Sequence, residues 1–237
     1  MKAKIWAMAG LVLSAVAVPA EAATTLAAGG TTEPVRIAII LALLAVVPAM
    51  LISMTSFIRI IIVLSMVRHA FGMPETPPNP VLLSLALFLT AFSMGPTLER
   101  LNETALQPLL SENADIEQVM RDGSVPLRDF MLSQTRDQDI QAIYDIAGDP
   151  LPATPEEVEL LKLAPAFILN ELRVSFTIGF VILLPFLLID LVVSSILLSL
   201  GMMMVPPATI ALPIKVLMFI LIDGWALVLQ GVLGSFG

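Results

Sequence analysis

The chain is built from long apolar runs separated by one polar stretch, and this alternation sets its architecture. Residues 37–58 form 22 positions without a charge, and the apolar pattern continues past Arg59 to Val67. A second uncharged run covers residues 76–98. Residues 174–214 hold one charge, Asp190, and residues 216–236 hold one, Asp223. A helix needs roughly 20 apolar residues to cross a bilayer. The pattern therefore predicts an all-α integral membrane protein with four hydrophobic helices near 36–68, 80–98, 172–198 and 206–234, paired as two hairpins.

The breaks between these runs have turn chemistry. Arg68 and His69 close the first helix, and Gly72 is placed to stop it in a left-handed conformation. The connector Met73-Pro74-Glu75-Thr76-Pro77-Pro78 cannot be helical, because proline lacks an amide proton and restrains the residue before it. Asn79-Pro80 reads as an N-cap followed by proline in the first helical position. Gly201 and Pro206-Pro207 bound a tight turn between the third and fourth helices.

Residues 99–171 differ in kind. They carry 15 acidic and 5 basic side chains, a net charge of −10. Leu127, Phe130 and Met131, then Ile140, Ile143 and Tyr144, recur at helical spacing. Thr154-Pro155-Glu156-Glu157 predicts a helix start, with Thr154 as N-cap, Pro155 at the first position and Glu157 closing a capping box. This stretch is a small helical, water-facing segment rather than a linker.

Composition agrees with the pattern. The 237 residues are 57% hydrophobic and 14% charged, against about 25% charged in a soluble domain. There is no cysteine and one histidine, His69. Thiol chemistry, disulfides and multi-histidine metal sites are excluded.

The first 22 residues read as a cleavable signal peptide. Lys2 and Lys4 precede a short apolar stretch, and Pro19-Ala20-Glu21-Ala22-Ala23 offers a small-x-small cleavage site. The alternative is an uncleaved first helix. Arg59, Arg68 and His69 flank the connector at 69–79, whereas 99–171 is poor in basic residues. The positive-inside rule places that connector in the cytoplasm and 99–171 outside. The expected organisation is a signal peptide (1–22), a first hydrophobic hairpin (23–98), an acidic periplasmic segment (99–171) and a second hydrophobic hairpin (172–237).

Charges inside apolar runs are the first candidates for function, since each costs several kcal/mol unless paired or hydrated. Arg59, Asp190, Lys215 and Asp223 qualify, with Arg173 at a boundary. Asp190 and Lys215 flank the turn at 201–207 and are placed to reach similar depth. They form either a proton relay or ion site, or a structural pair that fixes helix register or faces a partner subunit. Two buried aspartates also raise an intramembrane aspartyl protease. Such a site needs a carboxylate pair sharing a proton, and neither Leu188-Ile189-Asp190-Leu191 nor Ile222-Asp223-Gly224-Trp225 carries its motif. No HExxH, GxSxG or P-loop is present. No enzyme activity, metal or cofactor is expected.

Gly201-Met202-Met203-Met204-Val205-Pro206-Pro207 stands apart. Three successive methionines at a hairpin tip point about 100° apart if helical. Methionine is unbranched and polarizable and fills irregular shapes. The segment is either ordinary packing against lipid or core, or a deformable seal around a passage.

Several strings, taken in order, resemble a known family. Phe57-Ile58-Arg59-Ile60, Gly72-Met73-Pro74, Thr76-Pro77-Pro78-Asn79-Pro80 and Ala86-Leu87-Phe88-Leu89-Thr90 form the first set. The second runs Leu163-Ala164-Pro165-Ala166-Phe167, Asn170-Glu171-Leu172, Leu184-Pro185-Phe186-Leu187 and Ile189-Asp190-Leu191. It ends in Gly201-Met202-Met203-Met204-Val205-Pro206-Pro207, Leu212-Pro213-Ile214-Lys215 and Asp223-Gly224-Trp225. Each string is unspecific alone; their order and spacing over roughly 55–100 and 160–230 resemble the FliP/SctR family of type III secretion export-gate proteins.

The resemblance implies a multi-pass subunit of the bacterial inner membrane, assembled in several copies with FliQ and FliR inside the flagellar basal body. FlhB and FlhA are further implied partners. Unfolded flagellar proteins would be the passengers, and no nucleic-acid partner is expected. It implies that Met202, Met203 and Met204 line the channel as a gasket, held by Gly201, Pro206 and Pro207. It further implies that subunit contacts shield Asp190 and Lys215 from lipid, and that not every hydrophobic helix crosses the bilayer. The signal peptide favours the flagellar branch over the injectisome homologues, and an ion or solute transporter is the other alternative. The acidic segment carries none of the family strings before about Leu163, so no residue there is assigned a role.

Overall fold

The computed structural model describes residue 41 and residues 52–73, 75–109 and 116–236. The expected signal peptide and the first half of the first expected helix lie outside the described residues. Residues 52–236 fall in one compact unit, and every regular element described in it is helical.

Helix α1 is Phe57–Ala70. The continuous helix expected over 36–68 is corrected, because a non-helical step at Met54, Thr55 and Ser56 precedes α1. Short hydroxyl side chains compete for backbone groups there. Thr55 Oγ1 donates to the Ile52 carbonyl at 3.0 Å, and the Ser56 hydroxyl pairs with that of Ser93 at 2.7 Å. Helix α1 ends as its sequence indicates, with Gly72 at φ +76° and its N–H on the His69 carbonyl.

Helix α2, Asn79–Ser93, opens behind Pro78. Asn79 does not cap it, because its side-chain oxygen accepts instead from Arg68 Nη1. Helix α3, Gly95–Leu101, follows and continues through a π-helical turn, Asn102–Leu106, to Gln107–Leu109. The straight helix expected over 80–98 is corrected here: the chain bends by 73° at Met94. Pro96, in the first turn of α3, has no amide to give the preceding helix. The bend at Met94 meets the break before α1, since the Ser56 N–H lies 3.5 Å from Met94 Sδ.

Helices α4, Ile116–Gln134, and α5, Asp137–Ala147, confirm a helical acidic segment. Their apolar faces place Met131, Ile140 and Tyr144 against Leu163, Ala166 and Phe167, with Val158 and Met54 completing this core. The capping box expected at Thr154 is also corrected. Only a single 3₁₀ turn, Pro155–Glu157, forms there, and Glu157 accepts from the Ala153 N–H at 3.2 Å. Helix α6 starts further on, at Leu160, and runs 40 residues to Ser199. It is longer than the expected 172–198, and one helix therefore passes through the expected boundary at 171. At 1.5 Å per residue it reaches about 60 Å, twice the hydrocarbon thickness of a bilayer.

Helices α7, Pro207–Leu221, and α8, Gly224–Leu233, replace the single helix expected over 206–234. They meet at 68°, and a 3₁₀ turn, Gly234–Phe236, follows. The bend is built by Asp223 at φ +51° and by Gly224, where a Cβ would fall 2.2 Å from the Phe219 ring.

The main core surrounds α1. Ile60, Val63, Leu64 and Val67 form a helical stripe, packed by Leu82 and Ala86 of α2, Phe186 of α6, Phe219 of α7, and Val228 and Val232 of α8. The part of the first apolar run that forms α1 is thus an inner helix. Among the described residues, only α6 is long and apolar enough to cross a membrane alone; α2 with α3, and α7 with α8, qualify if each bent pair is one span. That is one to three spans among the described residues, and the first half of the first of the four expected helices lies outside them.

Candidate functional site

The hairpin between α6 and α7 is shaped by its glycine and prolines. Leu200 ends α6, and Gly201 follows at φ +73°. The Met202 N–H then bonds the Leu197 carbonyl at 2.9 Å and the Gly201 N–H bonds that of Leu198 at 3.0 Å. This paired arrangement closes a helix with a left-handed residue and satisfies its last carbonyls. Pro206 is extended and Pro207 begins α7, so the intervening residues cannot become helical. Below the tip, Val193, Leu197 and Ala211 pack together with Val205.

The three methionines therefore stand on a turn, not on a helix. Met202, Met203 and Met204 are 44, 80 and 95% exposed. No described residue covers most of Met203 or Met204, although the stalk beneath them is packed. The hairpin can present soft, deformable side chains to whatever lies against it.

Arg59 and Glu171 are the most enclosed charges among the described residues. Arg59 is 1% exposed, and Glu171 on α6 is 0% exposed. Arg59 Nε donates to Glu171 Oε2 at 2.8 Å, and Nη2 reaches both Glu171 Oε1 and Gln134 Oε1. Nη1 donates to the carbonyl and the hydroxyl of Ser235 at 2.7 and 2.9 Å. The Phe236 ring lies 3.9 Å from the guanidinium carbon. All five guanidinium N–H groups are thus used, as burial of this cation demands. Glu171 is the functional-looking residue whose role sequence reasoning missed. Its signal was faint: it is the last acid before the third apolar run, 112 positions from Arg59.

The structure brings Asp190 and Lys215 together, with Lys215 Nζ 2.7 Å from Asp190 Oδ2. Lys215 is buried and also donates to the Ala70 carbonyl at 3.0 Å. A cation thereby sits on the C-terminal end of α1, where the helix dipole favours it. Asp190 is 42% exposed. This pair ties α6, α7 and α1 at one point. Asp223 does not join it: it is exposed and occupies the left-handed step between α7 and α8. No carboxylate dyad arises from Asp190 and Asp223. Arg173 pairs with Asp139 at 2.7 Å and joins α5 to α6. Among the described residues, no group of acidic or histidine side chains is arranged to hold a metal ion.

Comparison with known proteins places these features. The FliP family model matches residues 40–232. The chain is 48% identical over 205 residues to the flagellar biosynthetic protein FliP of Pectobacterium carotovorum subsp. carotovorum, covering 86% of this chain and 80% of that protein. It is 44% identical over 209 residues to the FliP of Caulobacter vibrioides, covering 88% and 79%. The FliP of Bacillus subtilis is 43% identical over 205 residues, covering 86% and 93%. The family match runs through the acidic segment, which sequence reasoning could not assign.

Proposed function

Because the chain belongs to the FliP family, we propose that it is a pore-forming core subunit of the flagellar protein export gate. Several copies assemble with FliQ and FliR in the inner membrane of the basal body, next to FlhB and FlhA, and unfolded flagellar proteins pass through the channel. The acidic segment faces the periplasm.

One observation carries this reading: a rigid, packed hairpin that holds Met203 and Met204 at 80 and 95% exposure. Exposed apolar side chains on a fixed support mark a surface meant to be covered. Copies of the hairpin arranged around an axis would close on one another, and methionine would yield to a passing chain and reseal behind it. The apolar wall of α6 supports the same reading, since only 17% of its most apolar window is buried within the chain. Lipid and neighbouring subunits supply the rest. The internal ion pairs serve architecture in this reading and conduct nothing.

The test is replacement of Met202, Met203 and Met204 together by alanine in cells that assemble the complete gate. The assembled complex should purify at its normal size while the membrane becomes leaky to small ions. A triple variant that stays ion-tight and exports normally overturns the proposal.

A further inference from the structure

We propose that the turn Gly234–Phe236 is a strap that shuts the Arg59–Glu171 pair away from an adjoining cleft and fastens α4 to α1 and α6. The strap is a single 3₁₀ turn at the end of α8, yet Ser235 alone supplies both acceptors for Arg59 Nη1. Phe236 covers the face of the guanidinium, a placement that favours a cation over a ring. Phe236 also touches α4. The Phe236 carbonyl accepts from Gln134 Nε2 at 3.4 Å, and its ring stacks on Phe130 at 6.5 Å between centroids. Gln134 in turn reaches back to Arg59. One short turn therefore contacts both Arg59 of α1 and the end of α4, adding to the core that already packs α4 on α6.

Beside the strap lies a cleft of about 420 Å³, bordered by Ser133, Gln134, Arg136 and Asn170 as well as by Ser235 and Phe236. It is polar, and the Oδ1 of buried Asn170 has no hydrogen-bond partner among the described residues. A space of this size with such a wall holds water. Arg59 also borders it, and Ser235 and Phe236 are the groups that stand over the guanidinium. Lifting them joins the cleft to the buried pair and leaves Nη1 to water.

The strap is carried by α8, the short arm beyond the bend at Asp223. That bend rests on one left-handed residue and on the close approach of Gly224 to Phe219. A swing of α8 about Asp223 moves the strap with it. In this way the angle between α7 and α8 is coupled to how firmly the acidic segment is held. The coupling needs no ligand and does not depend on the methionine hairpin forming a gasket.

The chain has no cysteine, so one engineered thiol reports on one place. Ser175 is fully buried beside the pair, its hydroxyl on the Glu171 carbonyl, and Ser175→Cys is a near-isosteric reporter. Maleimide labelling of the full-length protein in native membranes should be slow in this variant. Adding Ser235→Ala with Phe236→Ala should speed it roughly tenfold or more, because local opening sets the access of buried groups. Labelling of an exposed Ser199→Cys control should not change. With Arg59→Met already present, removing the strap should give no further acceleration. Unchanged labelling without the strap, or equal acceleration with Arg59 absent, overturns the proposal. If the double-alanine variant does not accumulate, Phe236→Leu keeps an apolar side chain but removes the ring from the cation. It should label about threefold faster through easier opening, and a rate equal to the parent's also overturns the proposal.

Discussion

Replacing Glu171 with alanine should be among the most damaging single changes in the chain, because it leaves a cation buried without its counter-charge. Arg59 is 1% exposed and Glu171 0%, so water cannot stand in for the lost carboxylate without the packing opening. Two charge-assisted hydrogen bonds disappear, from Nε and Nη2. The Ser235 and Gln134 oxygens that remain are neutral. Removing one partner of such a buried pair costs about 3–5 kcal/mol. For a chain of 150–250 residues, each kcal/mol moves the unfolding midpoint by roughly 2–4 °C. The expected fall is therefore about 6–20 °C on that scale.

The assay is thermal unfolding of the full-length protein in mild detergent, followed by Trp225 fluorescence. Arg59→Met combined with Glu171→Leu is the decisive companion. It removes both charges and keeps apolar volume, and such replacements are often neutral or stabilising. The double variant should unfold within a few degrees of the parent on the same scale. A Glu171→Ala midpoint within about 2 °C of the parent refutes the reasoning, given the same conversion. So does a double variant as unstable as the single one, since the loss would then come from shape rather than from an unpaired charge.

At the second pair, Asp190→Asn should lower the midpoint more than Lys215→Met, because it leaves the buried Lys215 cation without its counter-charge, whereas Lys215→Met leaves Asp190, 42% exposed, to water. Exchanging the two charges should restore only part of the loss, since an acid at 215 would face the Ala70 carbonyl that Lys215 now serves at 3.0 Å. Full rescue by the exchange would show that the carbonyl bond contributes nothing. At the bend, Gly224→Ala should cost about 1–3 kcal/mol by overpacking, with its Cβ 2.2 Å from the Phe219 ring. Adding Phe219→Leu should recover part of that; an uncorrected double variant points instead to the backbone.

What the sequence shows and what it hides follow from the range of the forces involved. Gly72 and Gly201 are legible as helix stops because a left-handed residue after a helix is a local event. Both lie at positive φ in the structure. The helical spacing of Phe130, Met131, Ile140 and Tyr144 is also local, and these side chains do enter a shared core or pack on it. The bends are different. Nothing in Ile222-Asp223-Gly224 announces a 68° turn, because the step at Asp223 accompanies the close approach of Gly224 to Phe219 and the packing of Val228 and Val232 in the core around α1. The break before α1 likewise depends on Ser56 and Ser93, 37 positions apart. Asp190 and Lys215 could be paired from sequence because a tight turn separates them. Arg59 and Glu171 could not.

Hydropathy has a related limit: it counts apolar side chains but not what covers them. Helix α1 and helix α6 read alike along the chain, yet their surroundings differ. The apolar stripe of α1 is enclosed by α2, α6, α7 and α8, whereas 17% of the most apolar window of α6 is buried within the chain. Polar groups divide the same way. Arg59, Glu171 and Lys215 are satisfied internally, so the charges that would be costly in a membrane need no outside partner. Along α6, α7 and α8 the large side chains left uncovered are mostly apolar: the outer face of α6, the outer faces of α7 and α8, and the methionine tip between them. Lipid tails offer such surfaces no hydrophobic drive to associate, so assembly into the proposed gate would rest on shape and close packing. That suits a seal. A hairpin held rigid below and soft at its tip can meet identical neighbours in more than one spacing, which a tip of branched residues could not do as readily.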